Sequence, residues 1–337
     1  MLSVLIPAYK NDTTLLRMLE SISKQSIADK IEIIISDDGS IPSLGQGSEF
    51  LKFKERLNIK WYYQSNNLGV LGNARFLTGI ANHKFVVLAQ HDDYYIDNNF
   101  FERSVDLMMK NPKLGFIFAN ANFENNAEQF MKNGEGVEVC DGILFSKIFW
   151  KPLMTSWSSV IFDNDLMKKH GGFGEGYTIN EEQGHLFSAY PQEEGMGFLY
   201  LLATERDWVR DGCPVSVRGL PETRFSTSPT HPGRGLKNDV LIFVYWNISK
   251  LCDERGAKGQ IIAAQIRRLA ATHFGLGMIN SDVMNFFGKS WSSRLFMIIA
   301  LFMSPYQKVR NAIKKSKHNS KHNLKLLLIS LNIIKPK

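Results

Sequence analysis

The fold is decided by residues 3–40, SVLIPAYKNDTTLLRMLESISKQSIADKIEIIISDDGS. Ser3–Ile6 is a short β-prone run that stops at Pro7, and Thr13–Ser23 carries leucine and isoleucine at helical spacing. Ile31–Ile35 is β-branched and ends in a turn cluster of Ser, Asp and Gly. This strand–helix–strand order predicts the first unit of a parallel sheet.

The same alternation continues to about residue 120. It predicts a doubly wound, mostly parallel α/β sheet flanked by helices. The further predicted strands are Ile59–Tyr63, Phe85–Ala89 and Leu114–Ala119, and the further helices are Gly72–Ala81 and Phe100–Lys110.

Two acidic clusters follow strands of this predicted sheet. Asp37-Asp38 comes after the second strand, and Gln90-His91-Asp92-Asp93 comes after the fourth. Ligands of such sheets bind at the carboxyl ends of the strands. Either cluster alone can be ordinary turn chemistry, but two at one edge favour a metal or polar-ligand site. Carboxylates suit Mg²⁺ or Mn²⁺ shared with substrate phosphates.

Several motifs are missing from the sequence. There is no GxGxxG after the first strand and no GxxxxGK[ST], which disfavours a dinucleotide site and a P-loop. HExxH and GxSxG are also absent. The three cysteines lie far apart without a CxxC pair, which disfavours a disulfide scaffold or a cysteine zinc site.

Taken together, the motifs resemble those of bacterial, surface-polysaccharide-type family 2 glycosyltransferases, which are inverting GT-A enzymes. The segments that carry the resemblance span about residues 1–210. They are SVLIPAYKN at 3–11, DDGS at 37–40, NNLG at 66–69, NAR at 73–75, QHDD at 90–93 and Phe162–Gly176.

This resemblance implies a domain organisation. Residues 1–235 would form a GT-A domain, with a nucleotide-binding half at 1–120 and an acceptor-side half with a lid loop at 121–235. Residues 236–337 would form a helical, basic C-terminal extension.

The resemblance also implies roles for the residues of the donor site. Pro7, Ala8 and Tyr9 would line the base pocket, and Asp38, with Asp37, would hydrogen-bond the base. Arg75 and Asp92 would also contact the nucleotide. Asp92 and Asp93 would ligate Mn²⁺ or Mg²⁺, although Gln90 stands where the family often has an aspartate.

The catalytic base implied by the resemblance is Glu182 or Glu181. The alternative is that both glutamates only favour a helix N-terminus; Glu193, Glu194 and Asp207 are poorer candidates for the base. His231 and Arg234 lie in a Pro- and Gly-rich loop that could close over the diphosphate, with His231 completing the metal shell. Trp157 and Trp208 could stack on sugars or pack in the core.

The net charge of +7 belongs to the end of the chain. Residues 283–337 hold 11 Lys and Arg and no acidic residue, which leaves residues 1–282 at −4. Such a body is not expected to bind nucleic acid. The basic, apolar tail is expected to contact an anionic membrane surface. The alternatives are a helical subdomain with a solvated basic face or nucleic-acid contact by the tail.

The expected function is metal-dependent, inverting transfer from a nucleotide-diphosphate sugar, a UDP-sugar, to a hydroxyl of a cell-surface polysaccharide or lipid-linked glycan precursor. The first ten residues lack a secretory pattern, and Leu295–Met303 is too short to span a bilayer. We therefore expect a cytoplasmic protein at the inner face of the cell membrane. The alternatives are a non-catalytic nucleotide-sugar or glycan-binding module, or a sugar nucleotidyltransferase.

Overall fold

The computed structural model describes residues 1–123, 138–140, 156–169, 199, 202–218, 249 and 251–276. The strands are β1 Leu2–Ala8, β2 Glu32–Asp37, β3 Ile59–Tyr63, β4 Phe85–Leu88, β5 Tyr94–Tyr95, β6 Leu114–Phe123, β7 Glu138–Cys140, β8 Val160–Asp163 and β9 Asp207–Arg218. The helices are α1 Asp12–Ser23, α2 Ser48–Arg56, α3 Gly69–Ile80, α4 Phe100–Lys110, α5 Asn164–Lys169 and α6 Gly256–Leu276.

These strands form one sheet in the order β3-β2-β1-β4-β8-β6-β9-β5, with β7 also pairing with β9. The block β3-β2-β1-β4 is parallel throughout, as is the pair β6 and β9. β8 runs antiparallel between β4 and β6, and β5 and β7 are antiparallel to β9. The predicted α/β class, with helices flanking the sheet, is confirmed.

The antiparallel strand β8 was not foreseen as a neighbour of β4. The sequence predicted Leu114–Ala119 as the next strand of a parallel series, but β8 lies between that strand and β4. Pairing between residues nearly eighty positions apart leaves no local pattern in the sequence. β9 and α2 were missed as well, and α2 buries only Phe50.

The amino-terminal unit forms for reasons that are visible in its sequence. All residues of β2 are buried, which suits the continuous apolar run of a parallel strand covered on both faces. Asn11 caps α1, because its side-chain oxygen accepts a hydrogen bond from the Thr14 backbone N–H at 3.1 Å. Leu15, Met18 and Leu19 of α1 then pack into the main core.

The described residues up to Gln265 belong to one compact unit, and the end of α6 from Ile266 belongs to a second. The predicted division at residue 235 lies outside the described residues and stays a prediction. Among the helices of the described part of the chain, none is long and apolar enough to cross a membrane.

Candidate functional site

Three loops that follow β1, β2 and β4 meet at one edge of the sheet. Ala8 pairs with Asp37 in the β1–β2 ladder, and the Asp38 backbone N–H donates to the Ala8 carbonyl at 2.9 Å. The third loop reaches the first through His91, whose Nδ1 donates to the Pro7 carbonyl at 3.0 Å. The structure therefore brings together the predicted site segments 7–9, 37–38 and 90–93.

Asp37 is fully buried, and both of its carboxylate oxygens are used inside its own loop. Oδ1 accepts from the Ser40 N–H at 3.0 Å. Oδ2 accepts from the Ser43 hydroxyl at 3.1 Å and from the Leu44 N–H at 3.0 Å. These contacts are those of an aspartate that stabilises a turn, which was the alternative interpretation of the Asp37-Asp38 cluster. Asp37 therefore shapes the loop that carries Asp38.

Asp38 links its loop to the start of α3. Its Oδ1 accepts from the Leu68 N–H at 2.7 Å, and its carbonyl accepts from the Asn67 side-chain amide at 3.0 Å. Burial raises the pKa of the Asp38 carboxyl group, although the backbone N–H groups of Leu68 and Gly69 act in the opposite direction. Asp38 is thus a hydrogen-bond acceptor held rigidly at the edge of the sheet.

Ser40, which the sequence analysis named only as part of the DDGS motif, connects the ends of β1, β2 and β3. Its hydroxyl accepts from the Lys10 N–H at 2.9 Å, and its carbonyl accepts from the Tyr63 hydroxyl at 3.4 Å. Lys10 has a positive φ of 58°, which turns the chain sharply after Tyr9. The ring of Tyr9 remains partly exposed, with the Lys10 ammonium 4.7 Å from its centroid.

The two acids of the Gln90–Asp93 turn lie in different surroundings. Asp93 is 1% exposed and accepts hydrogen bonds from the hydroxyls of Ser156 and Ser158. Asp92 is half-buried, and its backbone carbonyl accepts from Arg17 Nη2 at 3.1 Å. Burial lowers the pKa of His91, with the Asp92 charge opposing this shift. Asp92 is therefore the more accessible carboxylate.

Among the described residues there is no group of three or more His, Cys, Asp or Glu side chains that could hold a metal ion. This does not conflict with a divalent ion of the kind that takes one or two carboxylates and shares the rest of its shell with substrate phosphates and water. The half-buried Asp92 fits that role. Asp93 fits it less well, because it is buried and its Oδ2 already accepts hydrogen bonds from two serine hydroxyls.

The remaining sequence candidates divide into two groups. Arg75 lies half-buried on α3. Glu181, Glu182, Glu193, Glu194, His231 and Arg234 lie outside the described residues, as do residues 283–337. The roles proposed for all of these stay predictions.

Three further candidates lie away from the site edge or in the core. Asp207 begins β9, at the opposite edge of the sheet from the three loops, with Lys258 Nζ 3.7 Å away. Trp208 is fully buried and stacks on Phe116 with the ring centroids 5.7 Å apart, and Trp157 is 7% exposed. Both tryptophans thus follow the core-packing alternative.

Comparisons with known proteins relate part of this chain to one family. Residues 3–169 match the model of Glycosyl transferase family 2. The described fold is of the GT-A type, and residues 3–169 are similar in sequence to family 2 glycosyltransferases. A search of curated proteins gave no match.

Solved structures of TarS from S. aureus share the fold. One TarS crystal structure is 14% identical with a TM-score of 0.62, and the match covers 94% of this chain and 55% of that chain. TarS 1–349 in complex with UDP is 16% identical with a TM-score of 0.59, and its complex with UDP-GlcNAc is 15% identical with a TM-score of 0.60. Each of these two matches covers 94% of this chain and 91% of the other. This chain thus spans about half the length of the first of these structures, and the likeness establishes the fold.

Proposed function

We propose that this protein is a metal-dependent, inverting glycosyltransferase that moves a sugar from a UDP-sugar to a hydroxyl of a cell-surface polysaccharide or lipid-linked glycan precursor. The observation that carries this proposal is the meeting of segments 7–9, 38–40 and 90–93 at one sheet edge through direct hydrogen bonds. The TarS complexes with UDP and UDP-GlcNAc support UDP as the nucleotide.

The nucleotide would bind across the ends of β1 and β2. The exposed ring of Tyr9 offers a face on which a base stacks, beside Pro7 and Ala8. The Asp38 carboxylate would accept a hydrogen bond from the base, held in place by the Leu68 N–H. Asp37 would act through the shape of its loop, and Arg75 would add positive charge near the nucleotide.

The metal would be Mn²⁺ or Mg²⁺, held by Asp92 and the donor diphosphate. Of the other two candidates, Asp93 is the less favoured because of its serine contacts, and His231 is proposed from the sequence alone. A bound divalent ion supplies neutralisation of the diphosphate charge as the leaving group departs. Arg234, on the same predicted lid loop as His231, would add a second positive charge.

The chemical step needs a base for the acceptor. The carboxylate of Glu182 or Glu181 would take the proton from the acceptor hydroxyl as its oxygen attacks the anomeric carbon. The bond from that carbon to the diphosphate breaks on the opposite face, and the nucleoside diphosphate leaves. Attack and departure on opposite faces invert the configuration of the sugar.

We further propose that the protein works on the cytoplasmic side of the membrane, with residues 283–337 against anionic lipid. Five Lys and Arg between 308 and 317 follow a strongly apolar, aromatic segment. Such a composition binds membrane surfaces, at about 1 kcal/mol for each nearby basic residue. Docking would bring the enzyme close to lipid-linked acceptors.

The test of the function is nucleotide binding followed by turnover. Calorimetry of the full-length protein with Mn²⁺ should show UDP binding more tightly than GDP, and UDP-sugars should release UDP slowly in the presence of water. Asp92→Asn should lose the Mn²⁺-dependent part of the binding. Failure of UDP and every tested nucleotide-sugar to bind would overturn the proposal.

One observation keeps a non-catalytic binding module as the second candidate. Gln90 stands where family 2 glycosyltransferases often have an aspartate. Its backbone N–H donates a hydrogen bond to the Ser158 hydroxyl. A module of this kind would bind UDP-sugar and never release UDP. Release of UDP that disappears in Asp92→Asn would exclude it.

A further inference from the structure

We propose that Ser156, Ser158 and Asp93 form a clamp that positions the Gln90–Asp93 turn, so that Asp92 and not Asp93 meets the donor and its metal. This inference rests on the proposed function, because it assigns parts within that donor site. Ser156 and Ser158 were not among the residues that the sequence singled out. The clamp would make them positioning residues.

The clamp is built from buried hydrogen bonds at both ends of the turn. The Ser158 hydroxyl donates to Asp93 Oδ2 at 2.9 Å and accepts from the Gln90 N–H at 3.0 Å. The Ser156 hydroxyl donates to the same carboxylate and also lies 3.3 Å from Gln90 Oε1. Ser158 is 0% exposed and Asp93 1%, so the hydrogen bonds to the Asp93 carboxylate are shielded from water.

The opposite side of the same turn is held by the β1–α1 region. His91 donates to the Pro7 carbonyl, and Arg17 donates to the Asp92 carbonyl. The backbone of the turn is therefore fixed at both ends and in the middle. Asp92 is half-buried, and its side chain would face the donor.

The energetics favour a positioning role for Asp93. A buried carboxylate is costly unless it is hydrogen-bonded, and two hydroxyl donors supply that compensation. Ligation of a metal through Oδ2 of Asp93 would require this oxygen to give up the two serine donors. The clamp depends on the antiparallel pairing of β8 beside β4, which places residues 156–158 next to the turn.

The experiment compares two neighbouring buried serines in the full-length protein. Ser158→Ala removes the clamp hydroxyl. The matched control, Ser159→Ala, removes an equally buried hydroxyl that bonds to Ser216 at 2.6 Å and does not touch the turn. UDP affinity with and without Mn²⁺ is measured by calorimetry, together with the melting temperature. Ser158→Thr, which keeps a hydroxyl, tests rescue.

We expect Ser158→Ala to weaken Mn²⁺-dependent UDP binding about tenfold, as loss of about 1.4 kcal/mol would do. Ser159→Ala should stay within about twofold of the wild type at a similar melting temperature, and Ser158→Thr should recover most of the affinity. Equal effects of the two alanine variants, or tighter Mn²⁺ binding in Ser158→Ala, would overturn the proposal. The second result would mean that Asp93 is itself a ligand.

A measurement without ligand separates the clamp from the proposed function. Hydrogen exchange of the Gln90 amide should become faster in Ser158→Ala and not in Ser159→Ala, because this amide donates to the Ser158 hydroxyl. If the wild type binds no UDP, the proposed function fails. The exchange result then decides the clamp by itself, and an unchanged Gln90 amide would refute it.

Discussion

Asp37 and Asp38 are neighbours in sequence whose carboxylates do different work. Asp37 satisfies three donors of its own loop, whereas Asp38 spans to the start of α3 and lies where the proposed base pocket forms. The two residues should therefore respond differently to the same isosteric change. A change at Asp37 should affect the stability of the fold, and a change at Asp38 should affect the binding of UDP.

Asp38→Asn should weaken UDP binding about tenfold, because a charged acceptor contributes about 1.5–3 kcal/mol and the amide is a weaker acceptor. Its melting temperature should change little, since the amide oxygen can still accept from Leu68. Asp37→Asn should instead lower the melting temperature by about 3–8 °C, because an NH₂ group would face donors. Calorimetry and thermal unfolding measure both. Equal effects on the two quantities in both variants would contradict this division.

Glu182 and Glu181 are the residues proposed to activate the acceptor. Removing a general base costs about 10²–10⁴-fold in rate. One of Glu182→Gln and Glu181→Gln should therefore lose transfer by at least about a hundredfold, while UDP binding stays at the wild-type value. Transfer is measured by UDP release with acceptor present. Full transfer by both variants would remove these two residues from the mechanism.

Among the secondary-structure elements, the strand ends opposite the site hold a charge cluster around the buried Glu32. Glu32 on β2 accepts from Ser3 of β1 at 2.8 Å and pairs with Lys60 of β3, with His83 Nδ1 3.5 Å away. Burial raises the pKa of Glu32. The hydrogen bonds from Lys60 and Ser3 and the nearby positive charges together outweigh this effect, and the net pKa lies below the ordinary value of 4.5. The cluster ties the starts of three parallel strands together.

This cluster predicts a pH dependence of stability. Because the pKa of Glu32 is lower in the folded state, its contribution is fully present above pH 4.5 and is lost as the pH falls below that value. Glu32→Gln should be less stable than the wild type at pH 7, and the difference should shrink on acidification. Urea unfolding at pH 7 and below pH 4 measures this. A difference that does not change with pH would contradict the assignment.

Two helix glycines should respond in opposite directions to the same change. Alanine in a helix is normally about 1 kcal/mol more stable than glycine. Gly79→Ala in α3, where an added Cβ meets nothing within 4 Å, should gain about that amount. Gly259→Ala in α6 should lose about 1–3 kcal/mol, because its Cβ would lie 2.1 Å from the Cys252 carbonyl. Urea unfolding of both variants measures this. A Gly259→Ala variant that is more stable than the wild type would contradict the close contact between Gly259 and the Cys252 carbonyl.

Over the whole molecule, the charge is unevenly distributed. The tail, residues 283–337, holds 11 Lys and Arg and no acidic residue, whereas residues 1–282 have a net charge of −4. If the tail binds anionic membranes, then Lys314, Lys315 and Lys317 changed together to Gln should weaken binding to phosphatidylglycerol-containing vesicles about a hundredfold. The matched control changes Lys52, Lys54 and Arg56, which are exposed on α2, to Gln. Vesicle flotation at low salt measures both. Equal losses in the two variants would mean that net charge and not the tail drives binding.

The amino-acid sequence alone predicted the parallel block β1–β4, the helices α1 and α3 and the order of the site segments. Each of these depends on local physics: hydrophobic periodicity, Asn and Gly at caps and turns, and acids that follow strands. The sequence pattern therefore predicted Asp38 and Asp92 at one edge of the sheet.

The surroundings of those acids became visible only in the three-dimensional structure. The use of both Asp37 oxygens within a loop, the role of Ser40 and the serine contacts of Asp93 depend on side-chain directions and on pairing between distant segments. Ser158 reaches Asp93 across 65 residues because β8 inserts antiparallel beside β4. No periodicity encodes such a contact, since strand pairing at that distance is selected by the packing of the whole sheet.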